Sequence, residues 1–234
     1  MQTPTRDESM TFHPKVSIDS PAIYYYYRQI SEKVASMYDR KDRYYQKAKN
    51  EGFASRAVYK LLEIQKKFKI WRAGSTVLDL GCAPGGWLQI LSKELGPKGK
   101  IVGIDRLPLK IHLPSNVIFI QKDFEQDLTA DLEQALSGQR EVDLILSDLS
   151  PDISGIAFRD TYRSYELSLK VWQVAQKFLK KNGHLVIKVF PGREVDDFKK
   201  ELKKSFTRFD TFIPEATRKT SSEVYLVALG RKII

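Results

Sequence analysis

Short apolar runs alternate with stretches of helical periodicity over most of the chain. From Ser55, the residues Ala57, Leu61, Leu62, Ile64 and Phe68 keep the three-to-four spacing of one apolar helix stripe. Beyond it, apolar runs predict strands at 76–80, 100–105, 117–121, 143–147 and 184–189, with helical periods opening near Trp87, Ala130 and Thr161. Strand alternating with helix implies an α/β fold, a mostly parallel sheet covered by helices on both faces. Two more β-rich runs, 208–212 and 223–229, have no helix between them and predict an antiparallel hairpin at the edge of a seven-stranded sheet. Residues 1–20 are polar and aperiodic and read as a flexible tail; a helix over about 22–38 would include the four tyrosines 24–27. No repeat or linker is visible, so the expected organisation is an N-terminal extension over 1–40 and one domain over 41–234.

Composition narrows the class. With 234 residues, 42% of them hydrophobic and 29% charged, the chain can bury a full core without disulfides or metals. The single cysteine, Cys82, excludes an internal disulfide, and His13, His112 and His184 are too scattered for a zinc site, so no metal is expected. No run of about 18 apolar residues occurs, and the N-terminus carries Arg6, Asp7 and Glu8 where a signal peptide would be apolar. A cytoplasmic monomer without a membrane partner is expected. The net charge of +10 is concentrated: between residues 40 and 72 eleven Lys/Arg meet three acids, a local +8. Tyr38, Tyr44, Tyr45, Phe53 and Tyr59 are interleaved with them. That composition suits a nucleic-acid face, and equally a solvated amphipathic helix whose tyrosines pack inward.

The segment Val77-Leu-Asp-Leu-Gly-Cys-Ala-Pro-Gly-Gly-Trp87 runs an apolar strand into a glycine turn and then a helix. Gly85 and Gly86 let a ligand approach the main chain, and the helix N–H groups then meet an electronegative group. The order G-x-x-x-G-G is neither a dinucleotide fingerprint nor a P-loop, which argues against NAD and ATP. Asp105 closes the second strand, twenty residues past Gly85, where an acid accepts hydrogen bonds from ribose hydroxyls. Asp123 follows the third strand, within reach of an adenine amine. With the acid that ends the first strand, this set suits an adenosyl ligand carrying an amino acid, S-adenosylmethionine.

Over roughly residues 44–232 the chain resembles the FtsJ/RrmJ family of ribose 2′-O-methyltransferases. The resembling pieces are Ser55-Arg-Ala-Val-Tyr-Lys-Leu-Leu-Glu-Ile64, Asp79-Leu-Gly-Cys-Ala-Pro-Gly-Gly-Trp87, Leu146-Ser-Asp-Leu-Ser-Pro151, Val186-Ile-Lys-Val-Phe190 and Ser221-Ser-Glu-Val-Tyr225. The resemblance implies a Rossmann-like class I methyltransferase that uses S-adenosyl-L-methionine. It also implies a Lys-Asp-Lys-Glu tetrad, which falls on Lys60, Asp148, Lys188 and Glu223. Cofactor contacts would fall on Gly85, Trp87, Asp105, Asp123 and Asp148. Compact members of the family mostly methylate a uridine of large-subunit ribosomal RNA, the substrate expected here; the tRNA anticodon loop is the alternative. RNA then gives the basic stretch 40–72 a purpose. The chain departs from the family pattern at Cys82, where small apolar residues are common, and at Pro191, where a polar residue is typical.

The tetrad can also be judged on its chemistry. Asp148 and Lys188 end two central strands, the rim where open α/β sheets bind ligands. A lysine between Ile187 and Val189 in an apolar strand has no evident structural purpose, whereas Asp148 alone reads as a helix cap and Lys60 and Glu223 as surface residues. Two amines and two carboxylates nearly neutralise one another, so they tolerate burial if they pair. As general base toward a 2′-hydroxyl, Lys188 must be deprotonated, which desolvation and the neighbouring Lys60 favour. Asp148 and Glu223 would orient the lysines, and Lys60 would position substrate or tune the base. A non-catalytic RNA-binding ribosome assembly factor would be free to lose Lys188 or Asp148, and a small-molecule methyltransferase would not need the +8 face.

Overall fold

The computed structural model describes residues 43–138 and 141–233. The tail expected over 1–20, the helix over 22–38 with its tyrosine run and the boundary at residue 40 lie outside the described residues. In chain order the elements are α1 (Arg43–Asn50), α2 (Val58–Phe68), β1 (Thr76–Leu80), α3 (Gly86–Leu95), β2 (Lys100–Asp105), β3 (Val117–Gln121), α4 (Thr129–Leu136), β4 (Val142–Ser147), α5 (Ala157–Phe178), β5 (Leu179–Val189), α6 (Arg193–Ser205), β6 (Phe206–Phe212) and β7 (Val224–Arg231).

The seven strands form one sheet in the order β3-β2-β1-β4-β5-β7-β6. β7 is antiparallel to both of its neighbours, and the other pairings are parallel. One face of the sheet buries Leu61 and Ile64 of α2 and Leu88 and Leu91 of α3. The other buries Leu132 of α4, Val171 of α5 and Phe198 of α6. This is the expected helix-covered, mostly parallel sheet. Strand order turns around between β1 and β4, which opens a crevice at their C-terminal ends.

Three details differ from the pattern reading. The hairpin of β6 and β7 forms, but β7 slots between β5 and β6, so β6 is the edge and β7 is internal. The run Val224-Tyr-Leu-Val-Ala is buried throughout, which an inner strand requires and an edge strand does not. Helix α6 was not expected: REVDDFKKELKKS is mostly charged, and only Val195, Phe198 and Leu202 are buried, a stripe one residue wide. β5 reaches back to Leu179, but its register against β4 shifts between Val142 and Leu144, leaving 180–183 as a bulge in which Asn182 takes φ 62°.

Candidate active site

Topology brings the tetrad together from four places. Asp148 is the first residue after β4, and Lys188 is the penultimate residue of β5, the next strand over. Because β7 runs the other way, its N-terminal end lies at the rim formed by the C-terminal ends of β4 and β5. Register puts Tyr225 directly opposite Lys188. Glu223 is the residue before β7. Lys60 comes from the helix layer, on α2, which packs on the face that also buries Tyr225.

The contacts are specific. Lys188 Nζ donates to the backbone carbonyl oxygen of Asp148 at 2.7 Å and lies 3.2 Å from Asp148 Oδ1. The Tyr225 hydroxyl donates to the same Oδ1 at 2.7 Å. Lys60 is ion-paired with Glu223, and its Nζ lies 5.8 Å from the centre of the Tyr225 ring. Lys60, Lys188 and Glu223 are only 9, 8 and 8% exposed, which charged groups tolerate when paired. Burial drives the Asp148 carboxyl up, but Lys188, Lys60 and the Tyr225 hydroxyl together outweigh it and hold it below the usual carboxylate range. Tyr225 is pushed well above the usual phenol value by burial and then by Asp148 and Glu223, so its hydroxyl keeps its proton. The cluster is therefore two lysine–carboxylate pairs with a protonated tyrosine between them.

Two cavities meet at this cluster. One, of about 530 Å³, is lined by Gly81, Asp105, Asp123 and Asp148. The other, of about 500 Å³, is lined by Arg56, Lys60, Phe190, Arg218 and Glu223. Ser150 and Asp160 line both, and each cavity has the size of a small-ligand site. Lys188 lines neither; its partner Asp148 lines the first. Asp160 accepts hydrogen bonds from the Ser154 N–H (2.9 Å), the Ser154 hydroxyl (2.6 Å) and the Gly155 N–H (3.2 Å), which fastens the loop after β4 to the start of α5.

The glycine turn lies on the side of the first cavity. Gly81 has φ 84°, and a Cβ there would stand 2.9 Å from the Leu149 backbone nitrogen. Gly85, at φ 111°, caps α3 and abuts Ile111, whose Cδ1 would be 2.8 Å from an added Cβ. Asp105 accepts the Ala83 N–H (2.8 Å) and the Leu107 N–H (2.9 Å), tying the turn to β2. Asp123 accepts the Glu125 N–H at 2.9 Å. The Trp87 side chain turns into the core: it is 3% exposed, and its indole N–H donates to the Ala57 carbonyl at 2.8 Å, joining α3 to the start of α2. Neither Gly85 nor Trp87 lines the cavity.

The pattern reading gives no role to Tyr225, and it counts Asp79 in the cofactor set only as the acid that ends the first strand. The signal for Tyr225 was its place two residues after Glu223, at the start of an apolar strand. Asp79 is fully buried, and neither carboxylate oxygen has a hydrogen-bond partner among the described residues. Burial, then Asp148 and Asp105, raise it well above the usual range. The basic stretch divides. Lys47, Lys49, Lys66, Lys67 and Lys69 are exposed, while Tyr59 is buried with its hydroxyl on Glu51 and packs against Tyr44 and Phe53. Of its aromatics among the described residues, only Tyr45 stands exposed, at 52%.

With its last strand reversed and inserted between β5 and β6, the sheet is that of the Rossmann-like methyltransferases. Comparison narrows the class: the FtsJ-like methyltransferase family matches residues 53–231, and the chain belongs to that family. It is 40% identical over 195 residues to the ribosomal RNA large subunit methyltransferase E of Bdellovibrio bacteriovorus, covering 83% of this chain and 99% of the relative. The protein of the same name from Coxiella burnetii is 45% identical over 194 residues, covering 80% and 90%. That of Methanocaldococcus jannaschii is 41% identical over 191 residues, covering 81% and 78%. Among solved structures, a Plasmodium falciparum protein described as a ribosomal RNA methyltransferase superposes with TM-score 0.68 at 30% identity, covering 76% of this chain and 98% of that one. Fibrillarin of Aeropyrum pernix, solved with natively bound S-adenosyl-L-methionine, has TM-score 0.50 at 16% identity over 73% of each chain, a likeness of fold alone.

Proposed function

We propose that this chain transfers a methyl group from S-adenosyl-L-methionine to a ribose 2′-hydroxyl of large-subunit ribosomal RNA, with residues 41–234 as the working domain. The observation that carries this reading is that the two cavities share Ser150 and Asp160, with Asp148 lining the first and the Lys60–Glu223 pair lining the second, so donor and acceptor can meet there. The relatives' names favour large-subunit RNA over the tRNA anticodon loop and over a non-catalytic assembly factor. A ribosomal substrate and a free buried Cys82 both suit the cytoplasm.

The residues fit the cofactor. Asp105, Asp123 and Asp148 line the cavity, with the buried, unpartnered Asp79 close to Asp105 and Asp148, so the cavity suits a cationic amino acid moiety. Gly81, in the cavity wall, lets Leu149 pack directly against the turn, where a Cβ would collide with it. Asp105 and Asp123 each hold one backbone N–H per engaged oxygen and retain lone pairs for ribose hydroxyls and an exocyclic amine. When bound, the cofactor supplies a methyl on a sulfonium, which leaves as a neutral thioether.

The remaining tasks are proton handling and alignment. A neutral lysine amine has two N–H groups and one lone pair. Asp148 engages two positions of the Lys188 nitrogen, through its backbone oxygen and Oδ1, and leaves the third for the hydroxyl proton. As the oxygen–methyl bond forms, that proton passes to Nζ, and the charged Asp148 stabilises the resulting ammonium. Glu223 holds Lys60 in the wall of the acceptor cavity, where it can bind the reacting oxygen or a neighbouring phosphate. A general base typically contributes about 10²–10⁴-fold, while alignment can supply roughly 7–11 kcal/mol, so positioning is the larger share.

For the RNA strand, Arg56 lines both the acceptor cavity and a third cleft of about 800 Å³, whose walls hold Lys49, Lys110 and His112 and, among the described residues, no carboxylate. This cleft suits the backbone of a single-stranded segment, where bases are splayed out. The test is incubation with labelled methyl donor and, separately, tRNA, free ribosomal RNA and ribosomal subunits. Label is expected in large-subunit RNA. Label in tRNA alone, or in none of them, would overturn the assignment.

A further inference from the structure

The N-terminal end of α5 leaves an apolar face open to solvent. Ile153, Ile156, Phe158 and Tyr162 are 63, 60, 74 and 44% exposed. Phe158 and Tyr162 lie one helical turn apart with their rings 23° from parallel and centroids 6.5 Å apart. Tyr162 rests against Tyr165 at 6.2 Å, and Tyr165 against the buried Phe198 at 6.5 Å, so the outer rings are braced through an aromatic chain to the core. The loop carrying the two isoleucines is held by Asp160, as described above. Such a face costs solubility and contributes little to folding, because its area stays in water.

Its position suggests a use. Ile153, Ala157 and Thr161 line the acceptor cavity together with Lys60 and Glu223, so the helix turn that carries the two rings borders it. Cations are at hand: Arg159 is the residue after Phe158, and Arg56 and Arg218 line that cavity, alongside Asp160 and the paired Glu223. Flat apolar rings beside arginines match single-stranded nucleic acid, whose bases stack on the rings while its phosphates meet the cations. A docked protein segment would use the isoleucines as well, but it would not call for the arginines or for continuity with the cavity.

We infer that Ile153, Ile156, Phe158 and Tyr162 form a stacking platform for the base of a nucleotide next to the one whose ribose enters the acceptor cavity. This rests on the reading of the chain as an RNA methyltransferase and adds a specificity-determining surface to it.

The experiment uses the full chain, its Phe158→Ala, Phe158→Leu, Tyr162→Ala and Phe158→Ala/Tyr162→Ala variants, and a fluorescent single-stranded oligoribonucleotide, read by anisotropy beside methylation kinetics. Each ring removed is expected to weaken the oligonucleotide about fivefold or more. KM for RNA should rise in parallel, while kcat at saturating RNA stays within about twofold. Phe158→Leu, which keeps apolar area and loses the flat ring, should behave like Phe158→Ala. Because the rings are exposed, melting temperatures should not move, which separates lost binding from lost folding. Wild-type affinity in the double variant, or full rescue by leucine, overturns the platform. So does a wild-type dimer in sedimentation that the double variant dissociates, since a second copy would then own the face. A wild type that binds the oligonucleotide through these rings but methylates no RNA would sink the functional reading and leave the platform standing.

Discussion

Tyr225 shows how one residue sets the chemistry of its neighbours. Its hydroxyl and Lys188 both hold Asp148 Oδ1, and with the nearby Lys60 charge they depress the Asp148 carboxyl. A depressed carboxyl stabilises the fold at pH above its unfolded value of about 3.9, and the contribution is lost as the pH falls through the lower folded value. Tyr225→Phe removes one of the groups holding it down. The acid limb of a urea-midpoint titration is therefore expected to move to higher pH in the variant; an unmoved limb would mean the hydroxyl does not matter to Asp148. Lys60 and Glu223 form a buried pair, and removing one partner strands the other, at a cost of about 3–5 kcal/mol. Lys60→Met should thus destabilise strongly, and Lys60→Met/Glu223→Gln should recover part of the loss, a coupling that a double-mutant cycle measures. Asp79 behaves in the opposite sense. Its raised carboxyl favours the fold at low pH, and that advantage disappears as the pH rises through the folded value. Asp79→Asn is expected to raise the melting temperature at pH 7, by about 2–4 °C per kcal/mol recovered, while weakening methyl-donor binding in calorimetry. Lys188 was legible in the sequence as a charge in an apolar strand. Tyr225 was marked only by its place two residues after Glu223; a tyrosine in a buried strand otherwise reads as core, and register against Lys188 supplies its role.

At the scale of elements, the site depends on one strand running backwards. β7 has to be antiparallel and interior for Glu223 and Tyr225 to start at the rim where β4 and β5 end. Apolar patterning located β1 to β4 closely because each is short and bounded by turn residues, and it found the buried second half of β5 but not the bulged start at Leu179. It located β7 too, but patterning measures burial of a strand and says nothing of its neighbours, so the insertion between β5 and β6 was out of reach. Helix α6 escaped because three buried residues among charges give a weak period. The glycine turn was legible since its φ values admit few other residues. Gly81→Ala tests it: a left-handed φ and a Cβ pressing on the backbone of Leu149 should cost about 1–3 kcal/mol and shift the residue next to Asp148. Methyl-donor affinity is expected to fall with stability, whereas loss of stability alone would detach the turn from cofactor binding.

Over the whole molecule the charge excess sorts by location. The lysines at the far end of α2 are solvated, and Lys67 rests over the Phe212 ring at 4.4 Å, while Lys49, Arg56, Lys110 and His112 converge on the third cleft. The composition of residues 40–72 pointed to a nucleic-acid face, yet most of the aromatics described there pack inward, and Lys110 and His112 belong to a distant stretch that only the fold brings alongside. If the cleft holds RNA phosphates, log K should fall with log salt at a slope of about −0.7 per phosphate. Lys49→Ala/Lys110→Ala should flatten that slope, and Lys66→Ala/Lys67→Ala should not. The most direct test of the chemistry is the position of the transferred methyl. Large-subunit RNA labelled by the wild type should release its label, after complete alkaline hydrolysis, in an alkali-resistant dinucleotide, because a methylated 2′-oxygen cannot attack the adjacent phosphate. Lys188→Met should abolish or severely slow single-turnover labelling at saturating RNA. Label recovered on a mononucleotide base, or an undiminished single-turnover rate in Lys188→Met, would contradict ribose methylation with Lys188 as its base.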